Sequence, residues 1–348
     1  MNMNYAKRYF ENIQKALMSV PSVSALNGKR ILITGATGLI GSAVTDTLIY
    51  LVENLKLDIE IYAASRKKEA LVKRFKEYAY KNYFFIMEYD ATQELLFSDI
   101  KFDYILHCAS NAHPQAYSKE PVETMLCNLI GLNNLLKYSV EYGVKRLLYV
   151  SSSEIYGNKA DNMLYKEDDI CDLDILSARA CYPSSKRAAE TLCICYKEEY
   201  GIDTVIVRPG HIYGPTMTKT DSRASAEFFR ACLLGHGIVM KSPGEQLRSY
   251  CYVFDCVSAM LCVLIHGISG EAYNISNPNS IVSIRDLAKE IAAQTGTQIV
   301  FARPTQEERK SYNMMMCSAL DSTKLEKLGW KGQFSLYEGV RETLALST

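Results

Sequence analysis

Two spacings of apolar residues run through this chain. Short apolar runs at Ile31–Thr34, Ile59–Ala64, Phe84–Glu88, Tyr104–Cys108, Arg146–Val150 and Thr204–Arg208 read as strands. Between them, Gly41–Asn54, Lys67–Tyr80, 121–142 and 183–200 carry apolar residues at helical spacing. Strands alternating with helices predict an α/β fold, a doubly wound parallel sheet with helices on both faces. Residues 5–19 predict a short amphipathic helix, and Pro21 to Gly28 a polar connection into the first strand. After Pro209 the pattern loosens: a helix near 222–234, a mixed segment Leu247–Leu264, a helix around 283–295, a strand near 298–301 and a last helix after Ser335. The expected organisation is a helical extension over 1–27, a nucleotide-binding domain over 28–208 with 247–265 threaded back onto it, and a smaller α/β substrate-binding domain over 209–348.

Composition narrows the function classes. Lys plus Arg and Asp plus Glu both number 39, so nothing in the charge favours nucleic acid or an acidic membrane surface as partner. The 11 cysteines are an odd count in a chain of 348 residues, Cys193 and Cys195 are too close for a CxxC pair, and no Cys/His cluster has zinc spacing. Reduced cysteines used as small core residues, and no metal site, are expected. Lys7, Arg8, Glu11 and Lys15 interrupt any apolar run near the start, and no stretch approaches the ~20 apolar residues of a membrane span. The expectation is a soluble cytoplasmic protein with no membrane partner.

The first strand runs into Thr34-Gly35-Ala36-Thr37-Gly38-Leu39-Ile40-Gly41 and then at once into a helix. Glycines at this spacing let backbone approach a pyrophosphate, which sits at the positive end of the helix dipole. Strand–loop–helix is the context that a Rossmann-type dinucleotide site requires. NAD-specific sites place an acid at the end of the second strand. Here that strand ends Ala63-Ala64-Ser65-Arg66-Lys67, and Ser65 with Arg66 favours a 2′-phosphate, hence NADP over NAD. Asp90, closing the third strand, is placed to meet the adenine edge.

Strand 146–150 delivers Ser151-Ser152-Ser153-Glu154-Ile155-Tyr156-Gly157 at its carboxyl end, where open α/β sheets bind ligands. Further on, Tyr182-Pro183-Ser184-Ser185-Lys186 sets Tyr and Lys at i and i+4, on one helix face. A phenol titrates near ~10 and is a poor base at neutral pH, but a nearby ammonium and an oxidised nicotinamide stabilise the phenolate. Tyr182 is therefore expected to move a proton, with Lys186 beside it and Ser152 holding the substrate hydroxyl. Glu154 either serves acid–base chemistry or caps the following turn.

With TGATGLIG at 34–41, SSSEIYG at 151–157, YPSSK at 182–186, RPGHIYGP at 208–215 and LRSYCYVFD at 247–255, the chain resembles the extended short-chain dehydrogenase/reductases, the NAD-dependent epimerase/dehydratase family, over residues ~29 to ~345. The resemblance implies a nucleotide-diphosphate sugar as substrate and NAD or NADP as cofactor. It implies that Gly35, Gly38 and Gly41 hold the pyrophosphate, with Ala109 and Ser110 along its path, and that Thr37, Leu39, Ile40, Ala91, Pro209, Tyr182 and Lys186 join Ser65, Arg66 and Asp90 in the cofactor set. Ser152, Tyr182 and Lys186 are implied in catalysis. Arg248 matches the arginine that grips the substrate diphosphate, and Ser110, Ser152, His211 and Arg223 share the substrate side. Arg179-Ala180-Cys181-Tyr182, with Ser153-Glu154, resembles the UDP-glucuronate decarboxylases, which generally carry Asn where this chain has His211. Glu154 favours a lyase that oxidises C4 and then eliminates or decarboxylates. A 4-epimerase and an NADPH-dependent 4-keto-sugar reductase remain alternatives. The helices 121–142 and 183–200, with Leu126, Leu129, Leu132, Leu135 and Leu136, match those that pair two subunits in the family, so a homodimer is expected, although core packing explains the same faces.

Overall fold

The computed structural model describes residues 3–93, 100–112, 114–159, 163–305 and 315–347. In chain order the strands are β1 (Lys29–Thr34), β2 (Ile59–Ser65), β3 (Phe84–Glu88), β4 (Tyr104–His107), β5 (Arg146–Val150), β6 (Thr204–Pro209), β7 (His211–Tyr213), β8 (Ile238–Met240), β9 (Leu247–Tyr252), β10 (Ala272–Ile275), β11 (Ile281–Ser283), β12 (Ile299–Phe301) and β13 (Cys317–Ser318). The helices are α1 (Met3–Leu17), α2 (Leu39–Leu55), α3 (Lys68–Arg74), α4 (Pro114–Lys119), α5 (Pro121–Tyr142), α6 (Cys181–Tyr200), α7 (Ala224–Leu233), α8 (Val253–His266), α9 (Ile284–Thr295), α10 (Thr323–Glu326) and α11 (Leu336–Leu346).

Seven strands form one sheet in the order β10-β6-β5-β4-β1-β2-β3, with every pairing parallel. This is the expected Rossmann-type sheet. Its strands read as continuous apolar runs because both faces are covered. Successive side chains of a strand point to opposite faces. Ile31 and Ile33 accordingly join one core with Val44 and Leu48 of α2, while Leu32 joins the other with Leu132 and Leu135 of α5. Leu148 and Leu147 divide in the same way. The smaller layer holds β11, β9 and β13, with β7 also on β9, and the separate pair β12–β8. Of the segment 247–265, the first six residues are β9 of this small sheet, whereas α8 lies against α2 and the large sheet, and β10 joins that sheet beyond it.

Helix α8 is buried along nearly its whole length, from Val253 to Leu264. A helix apolar on all sides needs cover on all sides, and α1 supplies it: Tyr9 meets Phe254 edge-on at 5.0 Å. Asp255, in the first turn of α8, accepts backbone N–H bonds from Gln333 (2.9 Å) and Phe334 (3.1 Å), tying the C-terminal tail beneath it. Helix α1 is itself fastened. Tyr9 donates to Asp46 on α2 (2.6 Å), and Arg8 pairs with Glu342 on α11 (2.7 and 3.0 Å).

One expectation is corrected. The helix read over Lys67–Tyr80 is short, ending at Arg74, because Phe75 turns into the core against Phe84 and the chain continues in turns. Of the leucines read on the 121–142 helix, Leu132, Leu135 and Leu136 are fully buried within this chain. Leu126 is 43% exposed and shares the outer face of α5 with Val122, Met125 and Ile130. Among the described residues no helix is long and apolar enough to cross a membrane.

Burial alone would raise the Glu342 carboxyl. Hydrogen bonds from Arg8, Asn12 and Arg341 outweigh it and bring the group from 4.5 down to about 2. A carboxyl lowered on folding stabilises above its unfolded value and loses that contribution as pH falls through the folded one. Glu342→Gln is expected to cost about 2 kcal/mol at neutral pH in urea denaturation. The gap between variant and parent should narrow as pH falls from about 4.5 towards 2; an equal gap across that range would be inconsistent with the pairing.

Candidate functional site

Parallel strands bring all their carboxyl ends to one edge, and the loops leaving β1, β2, β4, β5 and β6 meet there. The turn after β1 is built to be tight. Gly35 lies at φ 68°, in the left-handed region, and a Cβ there would stand 2.8 Å from the backbone of Ala109 after β4. A Cβ on Gly41 would fall 2.2 Å from the Gly35 carbonyl oxygen. No side chain caps α2 at Gly38, so the first-turn N–H groups at Leu39 and Ile40 face an open loop. Such a terminus suits an anion, and the cradle fits the pyrophosphate of a dinucleotide. Thr37 and Ser65 hydroxyls lie 3.3 Å apart across the loop, which joins it to the end of β2. Arg66 beside them is exposed and, among the described residues, has no ion-pair partner. Asp90 accepts from the N–H and hydroxyl of Thr92 (2.9 and 2.8 Å), and Ala91 packs directly against Gly131 of α5.

Beyond this loop a cavity of about 380 Å3 is lined by Ile40, Ser110, Ser152, Glu154, Tyr182, Lys186, Pro209, His211, Arg223 and Arg248. These ten residues from separate stretches of sequence thus share one cleft. Gly35, Thr37, Gly38, Leu39, Gly41, Ser65, Arg66, Asp90, Ala91 and Ala109 lie outside its lining.

Lys186 is fully buried, and its ammonium donates to the Val150 carbonyl at 2.8 Å, with Nζ 5.8 Å from the centre of the Tyr182 ring. Burial pulls its pKa down to about 8. Tyr182 is buried too. Burial and then the charge of Glu154 push its phenol up to about 12, against the Ser152 hydrogen bond and the charges of Arg223 and Arg179. The side chains alone therefore leave this phenol above its ordinary value, contrary to the expected effect of the neighbouring ammonium, because burial of both groups dominates. Ser152 begins the short turn Ser153–Tyr156, and its hydroxyl accepts the Glu154 N–H at 3.2 Å.

Among the described residues the Glu154 side chain caps no turn. Its oxygens pair with Arg179 Nη2 at 2.9 and 3.1 Å. Sequence reasoning left Arg179 without a role, and also missed Tyr117, whose ring stacks on Tyr182 at 5.2 Å. It missed the relay beneath Tyr182 as well: Ser110 donates to Asn128 (2.8 Å), Asn128 to Ser185 (3.0 Å), and Ser185 to the Tyr182 carbonyl (3.0 Å). No local pattern distinguishes Asn128 from other polar residues of α5.

The opposite wall comes from the smaller layer. Arg248 is buried, donates to the Leu247 carbonyl (2.9 Å) and, among the described residues, pairs with no carboxylate; burial lowers its pKa. Arg223 is paired with Asp221 (2.5 Å). His211 stands opposite Tyr250 in the β7–β9 register, 5.7 Å between rings, and its buried Nδ1 has no hydrogen-bond partner among the described residues. Burial, then Arg248 and Arg223, keep it neutral. Among the described residues no group of three His, Cys, Asp or Glu side chains is placed to hold a metal ion.

This geometry agrees with comparisons with known proteins. UDP-glucuronic acid decarboxylase 5 of Arabidopsis thaliana is 31% identical over 316 residues, covering 89% of this chain and 87% of that protein. The dTDP-D-glucose 4,6-dehydratase of Mus musculus is 30% identical, covering 91% and 88%. The crystal structure of UDP-glucose 4-epimerase with UDP-glucose from Thermotoga maritima superposes with a TM-score of 0.78 at 26% identity, over 91% of this chain and 98% of that one. Residues 31–276 match the family described as "NAD dependent epimerase/dehydratase family", and the chain belongs to it.

Proposed function

We propose that this protein is a lyase of nucleotide sugars, acting on an NDP-hexuronic acid or NDP-hexose, with UDP-glucuronate decarboxylation as the leading reaction. The observation that carries the reading is Glu154, a carboxylate in the same cleft as Ser152, Tyr182 and Lys186 and close enough to Tyr182 to perturb its phenol. The named relatives, decarboxylases and dehydratases, support it. An epimerase has less use for such a group, because its ketone only has to turn over.

A bound dinucleotide would take the hydride from C4 and give it back once the sugar has reacted. Ser152 holds the C4 hydroxyl and Tyr182, as phenolate, takes its proton, with Lys186 at its side. Buried Arg248 anchors the substrate diphosphate through a charge-assisted contact that replaces its lost hydration. Neutral His211 offers its free Nδ1 to the sugar or phosphate. Oxidation makes a C6 carboxylate a β-keto acid: the C5–C6 bond breaks, its electrons pass to the C4 oxygen, and carbon dioxide leaves. Glu154 then helps to return a proton to C5. In an NDP-hexose the same carboxylate removes the C5 proton and passes it to the C6 hydroxyl, which leaves as water; the hydride taken from C4 would then be returned at C6 and a proton at C5, leaving no net redox change.

Ser65 and Arg66 are proposed to read a 2′-phosphate, since no acid stands at the end of β2 and Arg66 has no ion-pair partner among the described residues. That preference favours a second reading, an NADPH-dependent 4-keto-sugar reductase. The outer apolar face of α5 is proposed to pair with a second copy of the chain.

Incubation of the protein with UDP-glucuronate and with UDP-, GDP-, CDP- and dTDP-hexoses, with and without NADPH, is expected to give a product lighter by carbon dioxide or water without net cofactor consumption. Stoichiometric NADPH loss would establish the reductase, and a product of unchanged mass the epimerase. Tyr182→Phe should lower turnover about 10^3-fold, and Glu154→Gln should still reduce bound cofactor while losing product. Mass spectrometry of cofactor released from the protein, or of cofactor retained after loading, should find NADP. Arg66→Ala should weaken NADP+ about tenfold more than NAD+; equal weakening would assign Arg66 to solvent. Gel filtration should show a species of twice the 39.2 kDa chain mass, and a clean species at the chain mass would rule the pairing out.

A further inference from the structure

Arg179 lies in the 3-10 turn Ala178–Ala180 that leads into α6, three residues before Tyr182. Its guanidinium carbon is 4.4 Å over the Tyr117 ring, and that ring in turn stacks on Tyr182 with an interplanar angle of 25°. One terminal nitrogen bridges both oxygens of Glu154. The Tyr117 hydroxyl is 3.5 Å from both partners of that pair. The pair is sheltered, with side chains 21% and 18% exposed.

This corner has to satisfy two conflicting demands. Removing the proton of a C4 hydroxyl requires Tyr182 to carry negative charge, while the second stage requires Glu154 in the same cleft. Two anions so close disfavour each other. The groups facing Tyr182 are Ser152 and Glu154 after β5, Tyr117 of α4, Arg179, Arg223 before α7, and Lys186 one turn along α6. Only Arg179 among these is ion-paired to Glu154. Arg223 is held by Asp221 and Lys186 by the Val150 carbonyl.

We propose that Arg179 is a positioning residue that neutralises Glu154 while Tyr182 takes the first proton, so that one cleft can hold a phenolate and a carboxylate in turn. The same contact also aims the carboxylate for the second stage, and Tyr117 fixes the guanidinium by stacking. The proposal rests on the reading of Tyr182 as the proton acceptor. It does not depend on which product forms.

The test is an ultraviolet titration of the phenolate band with saturating NAD+ or NADP+, each protein measured against its own Tyr182→Phe counterpart. Arg179→Gln should raise the Tyr182 midpoint by about one unit, because an uncompensated anion then faces the phenol. Arg179→Lys should hold it near the parent value, and the double variant Glu154→Gln/Arg179→Gln should bring it back. A midpoint unmoved in Arg179→Gln, or a double variant that stays with the single one, overturns the proposal. If Arg179→Gln does not fold, Glu154→Gln alone decides: the midpoint should fall, since Arg179 is left as a net cation, and an unchanged or higher midpoint overturns it. No sugar nucleotide is needed, so a protein that fails the product assay still reports on Arg179. With UDP-glucuronate, the acid limb of cofactor reduction should move with the same variants.

Discussion

Burying an ammonium is tolerated only with good partners, and among the described residues Lys186 donates to the carbonyl that ends β5. That bond pins α6 to the carboxyl edge of the sheet at the level where the strand gives way to Ser151 and Ser152. One helical turn earlier Tyr182 must then face the same space, and two residues beyond Val150 the Ser152 hydroxyl enters it. Moving Lys186 away from Val150 would shift the whole helix, because the Tyr182 carbonyl is also held from below by Ser185, Asn128 and Ser110. The cleft thus rests on a strand end and a helix fastened to each other, the kind of rigid support a reactive constellation needs.

The two layers divide the electrostatic work. From the large sheet come Lys186 and the Glu154–Arg179 pair; from the small sheet comes buried Arg248, with Arg223 already balanced by Asp221. Lys186 and Arg248 are the cleft cations, among the described residues, that carry neither an ion-pair partner nor solvent exposure. Two unbalanced positive charges in a cleft that Ile40 of the first turn of α2 also lines make a site for a ligand rich in phosphate. His211 stays neutral between the arginines, which leaves it a hydrogen-bonding group rather than a further charge.

The N-terminal helix is part of the same arrangement. Helix α8 supports the sheet beneath β5 and β6 and is buried along nearly its whole length, so it needs α1 as its outer cover. The pairing of Arg8 and Asn12 with Glu342 closes that cover by joining the two ends of the chain.

What the sequence determined by itself was whatever its neighbours along the chain enforce. A buried parallel strand must be apolar on both faces, a glycine loop must show its glycines at fixed spacing, and a Tyr and Lys four apart must share a helix face; all of these were legible. Arg179 shows the limit, since its meaning comes from Glu154, 25 residues earlier, and from a stacked pair of tyrosines that no periodicity announces. Phe75 ended a helix that local pattern extended to Tyr80, because its core contact with Phe84 outweighed helix propensity. Three of the five leucines read on the 121–142 helix proved to be core, a choice that depends on where the sheet lies rather than on their spacing. Patterns report which face a residue takes, whereas charge partners and burial arise between segments distant in sequence, and only the folded chain brings those together.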